Sequence, residues 1–225
     1  MGCPPSRFSV PELVEAGRLL FIGTMISALT IEKLACLRGE RLLFEGLSFQ
    51  LRAGQALAVE GANGAGKTSL LRIIAGFMSP ASGAIRVTED GQDIVDGELR
   101  GRRIGWMGHQ DALKGPLTVA EQLSFYAKLH DSPVEQGPVL EQVGLARQRD
   151  LPCRYLSAGQ KRRLGLARLL VCARPLWLLD EPFAALDTMG KGLVARLMME
   201  HCGRGGMVLA ATHEPLGLSN QSIRL

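Results

Sequence analysis

From residue 29 onward the chain alternates short apolar runs with segments whose apolar residues recur at helical spacing. The runs LTIEKLACL, RLLFEGLSFQL and QALAVE are separated by Arg-Gly-Glu and Arg-Ala-Gly. They predict an antiparallel layer that leads into a buried strand over residues 56–60. SLLRIIAG reads as a helix, Ser79-Pro80-Ala81-Ser82-Gly83 as a loop, AIRVTED as a strand, and residues 102–107 as a further strand ending at Gly108-His109-Gln110. Residues 116–170 read mainly as helices. TVAEQLSFYAKLH has Thr118 as its N-cap with Glu121 three residues on, VLEQVGL is a shorter helix, and KRRLGLARLLVCA is an amphipathic helix rich in arginine. Residues 176–179 form a wholly apolar strand, 191–201 a helix, and MVLAATHE a last buried strand ending at His213. Strands alternating with helices in this way imply an α/β fold, a mostly parallel sheet with helices on its faces.

A chain of 225 residues is long enough for one sizeable core with a small attached subdomain. The net charge of +4 is too small to imply a nucleic-acid partner, and none is expected. Five scattered cysteines with no C-x-x-C pair argue against a disulfide framework or a zinc site and suit a reducing compartment. No apolar run reaches the roughly 18–20 residues of a spanning helix. The apolar stretch 19–31 has the length of a signal-peptide core, but Glu12 and Glu15 precede it and no convincing small-residue cleavage site follows. Residues 1–24 are therefore expected to be an extension ahead of a start at Met25, with the functional domain spanning 25–225.

The sharpest chemistry lies at residues 61–68, GANGAGKT, which fit G-x-x-x-x-G-K-[ST] between a strand and a helix. Glycines 61, 64 and 66 permit backbone conformations that turn successive N–H groups inward, and the following helix adds its positive end. Phosphate oxygens fit that cradle. Lys67 supplies a point charge to them and Thr68 a hydroxyl for Mg²⁺. Asp180 ends a buried strand where a carboxylate reaches the same ion, and Glu181 beside it is placed to orient or deprotonate an attacking water. Gln110 and His213 sit just past strand ends, on the edge of such a sheet where ligands bind.

Six segments in this order resemble an ABC-type ATPase cassette, over nearly the whole chain from residue 29. GANGAGKT resembles the Walker A motif and Gln110 the Q-loop. LSAGQ (156–160) resembles the signature, and LWLLDEP (176–182) the Walker B motif with its glutamate. AALD (184–187) resembles the D-loop, and Thr212-His213 the switch-histidine loop. The resemblance implies a P-loop NTPase (RecA-like) fold, with an antiparallel β layer and an inserted helical subdomain at about 112–170. It implies ATP bound by Gly61, Ala62, Asn63, Gly64, Ala65, Gly66, Lys67, Thr68 and Ser69, and Mg²⁺ held by Thr68, Gln110 and Asp180. Glu181, His213 and Gln110 are the catalytic residues by this likeness, with Glu181 the base.

Two such cassettes pair head to tail in the family, so a homodimer is implied. Ser157, Gly159 and Gln160 then grip the ATP of the other copy, and Asp187 communicates across the interface. Two departures stand out. The position near Arg38 lacks the family's adenine-stacking aromatic ring, and a guanidinium can stack in its place. Ala158 replaces a signature glycine.

Within the family, LRGERLLFEGLSFQL, GHQDALKGPLTVAEQLSFY and LSAGQKRRLGLARLL resemble the ATP-binding subunits of haem exporters in cytochrome c biogenesis. That likeness implies an integral-membrane permease partner (CcmB-like), a CcmC-like protein nearby, and a place on the cytoplasmic face of a bacterial inner membrane. The alternatives are an exporter ATPase for another cargo and a soluble non-transport ABC ATPase. The short interval between residues 68 and 156 leaves no room for the long coiled coils of chromosome-maintenance relatives.

Overall fold

Period-two alternation in the buried strands decides how the molecule is layered. The computed structural model describes residues 26–109, 112–217 and 221–225. Its central sheet is built from β3 (Ala56–Glu60), β6 (Ile104–Met107), β7 (Leu176–Asp180), β8 (Met207–Ala211) and β9 (Ser222–Arg224), in the order β6-β7-β8-β3-β9. All four pairings are parallel. Side chains of a strand point alternately to opposite faces, and both faces here are apolar. Leu57, Val59, Leu176, Leu178, Met207, Leu209 and Ala211 enter one core, whereas Ala56, Ala58, Trp177, Leu179, Val208 and Ala210 enter the other. This is why β7 and β8 read as unbroken hydrophobic runs.

The first core is closed by α1 (Lys67–Ile74) and by a second, antiparallel sheet. That sheet contains β1 (Ile26–Arg38), β2 (Arg41–Arg52), β4 (Ser82–Glu89) and β5 (Gln92–Ile94), in the order β2-β1-β4-β5. Arg86 of β4 ion-pairs with Glu32 of β1 across it. The second core is closed by α3 (Val119–Leu129), α4 (Gln136–Gln142), α5 (Ala158–Cys172) and α6 (Thr188–Gly203); the short α2 (Gly97–Gly101) lies between the sheets' strands in sequence. The expected capping box at Thr118 and Glu121 is present in both directions, closing the N-terminus of α3.

Three readings change. α5 is not amphipathic, because it is buried from Leu164 through Cys172 and two of its arginines, Arg162 and Arg168, are buried as well. The last apolar strand stops at Ala211, two residues before His213. β5, α2 and β9 were not expected.

Packing on the helical side is tight. The His201 ring stacks on Trp177 with centroids 3.9 Å apart, and its Nε2 lies 3.1 Å from the Pro175 carbonyl. Burial pushes that imidazole down to about 3, so it is neutral in the folded protein. No helix among the described residues is long and apolar enough to cross a membrane.

Candidate functional site

The C-terminal ends of β3, β7 and β8 converge, and the candidate site lies there. β3 delivers the loop 61–66 to the N-terminus of α1, where Gly66 is the N-cap at φ 109°. A side chain at that position would be strained by φ, and its Cβ would lie 3.0 Å from the Phe44 ring and 3.2 Å from Leu43. Residues of β2 thus wall the loop from below, leaving only backbone room for the turn. Gly61 and Gly64 also hold positive φ, 150° and 83°. Ala62, Asn63 and Ala65 complete the loop, braced by an Ala65 N–H to Ala62 carbonyl bond of 3.1 Å. Ser69, in the first turn of α1, is buried.

The charged groups gather over this loop. Lys67 Nζ donates to the Gly61 carbonyl at 2.7 Å and to that of Ala62 at 3.4 Å, and stands 3.0 Å from His213 Nε2. The same His213 nitrogen is 3.0 Å from Asn63 Oδ1 and 3.6 Å from Glu181 Oε1. One ring nitrogen either accepts from Lys67 or donates to Asn63 and Glu181, so the tautomer selects between these neighbours. Thr68 Oγ1 donates to Asp180, at 2.9 Å from Oδ2 and 3.2 Å from Oδ1. Asp180 is buried at the last position of β7. Glu181 follows at φ 48°, a conformation rare outside glycine, with its N–H donated to Ala211 of β8 at 2.8 Å.

Residues 157–160 form a separate cluster at the N-terminus of α5. Ser157 is the N-cap: its Oγ accepts from the Gln160 N–H at 3.2 Å, and Gln160 Oε1 accepts from the Ser157 N–H at 2.9 Å. Gly159 faces the Ala185 carbonyl, which a Cβ there would approach to 3.2 Å. Asp187 is the N-cap of α6, its Oδ1 accepting from Gly190 N–H at 2.7 Å. Among the described residues, no hydrogen bond or ion pair joins residues 157–160 to residues 61–68. Arg38 is exposed at the tip of the β1–β2 hairpin, directly opposite Arg41. Gln110 lies outside the described residues.

The residues fit a nucleotide triphosphate and a divalent cation. A loop with positive-φ glycines, a lysine and a helix N-terminus is an anion site, and a hydroxyl beside a buried carboxylate is the hard oxygen set that Mg²⁺ takes. Sequence reasoning missed Leu43 and Phe44 beneath Gly66, and it missed Arg162. The signal for Arg162 was a basic residue close to the apolar run of an arginine-rich helix.

The fold and this site define an ATP-binding cassette. A family model described as ABC transporter matches residues 44–184, and the chain belongs to that family. It is 48% identical over 193 residues to the cytochrome c biogenesis ATP-binding export protein CcmA of Rhodopseudomonas palustris (strain BisB5), covering 85% of this chain and 94% of that protein. The protein of that name from Agrobacterium fabrum is 45% identical over 196 residues, covering 84% and 91%. Among solved structures, an ATP-binding subunit of an ABC transporter superimposes with a TM-score of 0.78 at 25% identity, covering 88% of this chain and 86% of the other. The bacterial ABC transporter cassette MJ0796, solved as a dimer, gives 0.76 at 22% identity, covering 88% and 94%, a likeness of fold. The chain is the ATP-binding subunit of an ABC transporter, an ATP-hydrolysing transport enzyme.

Proposed function

We propose that this subunit powers haem export for cytochrome c biogenesis, working as a pair of cassettes on the cytoplasmic face of a bacterial inner membrane. Its partner in this reading is a CcmB-like permease, with a CcmC-like protein nearby. The observation that carries the catalytic part is the meeting of Lys67, Asn63, Glu181 and His213 over the loop, with Thr68 in the first turn of the following helix bonded to Asp180. The names of the curated relatives support the cargo.

In this reading the backbone N–H groups of residues 61–69 and the Lys67 ammonium bind the β- and γ-phosphates. Lys67 exchanges the Gly61 carbonyl for phosphate oxygens, an ionic acceptor that makes the stronger bond. Thr68 and Asp180 would hold Mg²⁺, with Gln110 as a further ligand; when bound, the ion would supply positive charge against the phosphate oxygens. Glu181 takes the proton of the attacking water. His213 leaves Lys67 and Asn63 to hold the γ-phosphate. Positioning and electrostatics therefore do most of the work, as phosphoryl transfer requires. Ser157, Gly159 and Gln160 close on the ATP of the second cassette, and Arg38 stacks on adenine.

Haem staining of c-type cytochromes tests the cargo. A strain lacking this chain should lose them, regain them with the natural chain, and fail to regain them with Lys67→Ala. Normal cytochromes in the deletion strain would overturn the haem reading and leave the ATPase untouched. Failure to co-purify with any integral-membrane protein would overturn the permease partnership.

A further inference from the structure

We propose that Arg162 is a positioning residue for Glu181, setting the direction of the carboxylate from behind by gripping the backbone that carries it. The inference rests on the reading of Glu181 as the base.

Arg162 sits five residues past the N-cap Ser157, and its side chain is buried, 3% exposed. Its Nη1 donates to the Gly108 carbonyl at 2.8 Å, just beyond β6. Its Nη2 donates to the Asp180 carbonyl at 2.6 Å and to that of Glu181, and Nε reaches the Pro182 carbonyl at 3.4 Å. One planar fork thus holds three consecutive carbonyls at the end of β7 and ties them to the end of β6. Only arginine has enough donors in a fixed plane to do this.

Those carbonyls belong to the segment that needs holding. Glu181 is at φ 48°, and a non-glycine residue keeps such a conformation only where its surroundings over-determine it. Three contacts do so. Its N–H is taken by Ala211 of β8 at 2.8 Å, and its carbonyl accepts from Ala184 N–H at 3.1 Å and from Arg162. The first two are backbone contacts that any sequence could make, whereas the third depends on one side chain. Swinging the Glu181 peptide toward a commoner φ would turn its carboxylate away from His213, now 3.6 Å off. Because Arg162 rides on α5, the base is also tied to the helix whose first residues are Ser157 to Gln160. Among the described residues, no hydrogen bond joins Arg162 to residues 61–68, so turnover should respond to its loss more than nucleotide affinity does.

The test compares the natural chain, Glu181→Gln, Arg162→Gln and Arg162→Lys, each assembled with the transporter's membrane subunits. Turnover, KM and ATP affinity are measured for each. Misalignment of a catalytic group costs up to about 100-fold in rate, so kcat should fall roughly 10- to 100-fold in Arg162→Gln. A change felt only in the transition state leaves ATP affinity within about twofold. Arg162→Lys keeps the buried charge but cannot span both strand ends, so its kcat should fall less and with the same split. Should Arg162→Gln fail to fold, Arg162→Lys carries the test alone. Wild-type turnover in the variants, or ATP affinity falling in step with turnover, would overturn the inference. Normal turnover in Glu181→Gln would instead remove the base assignment itself. An inactive Glu181→Gln beside fully active Arg162 variants would remove only the positioning role.

Discussion

The phosphate loop and the N-terminus of α5 are both helix starts suited to an anion, yet they are prepared in opposite ways. At the loop, the groups suited to phosphate contact one another: Lys67 rests on the Gly61 carbonyl and against His213, and Thr68 rests on Asp180. In the proposed reading these contacts give way to ones with phosphate, for Lys67 and His213, and with Mg²⁺, for Thr68 and Asp180. At α5, Ser157 and Gln160 close a capping box within four residues, and among the described residues no hydrogen bond or ion pair links them to the phosphate loop. The Ser157 hydroxyl uses its oxygen as an acceptor and keeps a proton to donate. The difference teaches that, in the proposed reading, one end is a phosphate site whose own side chains already close over it. The other is a capped helix start whose donors face no phosphate loop of its own chain, which fits the proposed half-site that a second copy completes.

Four substitutions break or sharpen this contrast. The largest effect belongs to Glu181→Gln, which keeps the side chain's size but removes its basicity. Turnover should drop about 10²–10⁴-fold while ATP binding persists, and ATP with Mg²⁺ should shift the variant toward a dimer in light scattering. Near-normal turnover would take Glu181 out of the chemistry.

Lys67→Ala attacks the shut site directly. Losing charge-assisted bonds of about 1.5–3 kcal/mol should weaken ATP binding roughly 10- to 100-fold, as measured by titration calorimetry on a normally folded chain. Unchanged affinity would show that the loop does not hold the phosphates. Ser157→Arg addresses the other end. It should cost about 1 kcal/mol of stability through the lost cap, leave ATP affinity of the single chain alone, and abolish the ATP-driven pairing of Glu181→Gln. A dimer that forms regardless would contradict the half-site reading. The smallest effect is expected for Arg38→Ala, where an exposed cation–π contact is worth about 0.5–1 kcal/mol. Arg38→Tyr should restore the affinity, and equal affinities in all three proteins would place adenine elsewhere.

Much of this was legible in the chain because the informative features are local. The wholly apolar runs at β3, β7 and β8 announce strands buried on both faces, and Thr118 with Glu121 announces a helix start. GANGAGKT carries its turn, charge and hydroxyl within eight residues. Features made by distant pairing left no such mark. Nothing near residue 58 reveals that it lies between residues 210 and 222. β5 and β9 are three residues each, too short for alternation to show. His213 comes to Lys67 across 146 residues, and its partners depend on how three strand ends align rather than on spacing. The arginines of α5 looked like a solvated face because charge is usually solvated. Arg162 is buried because the ends of β6 and β7 present carbonyls that only a side chain can satisfy.

The position of β3 has a consequence for how the molecule comes into being. Both neighbours of this strand arrive late: Ala58 pairs with Ala210 on one side and Ser222 on the other, 152 and 164 residues further along. A ribosome adding about 5–20 residues per second needs roughly 8–30 seconds to cover that distance. The antiparallel sheet, whose strands all fall between residues 26 and 94, can form during that wait. The phosphate loop meanwhile hangs from a strand with no ladder on either edge. A ligand that binds only the folded form cannot stabilise a site that does not yet exist. In the proposed reading, ATP can stabilise this site only after β7 and β8, whose ends help build it, have been added beside β3.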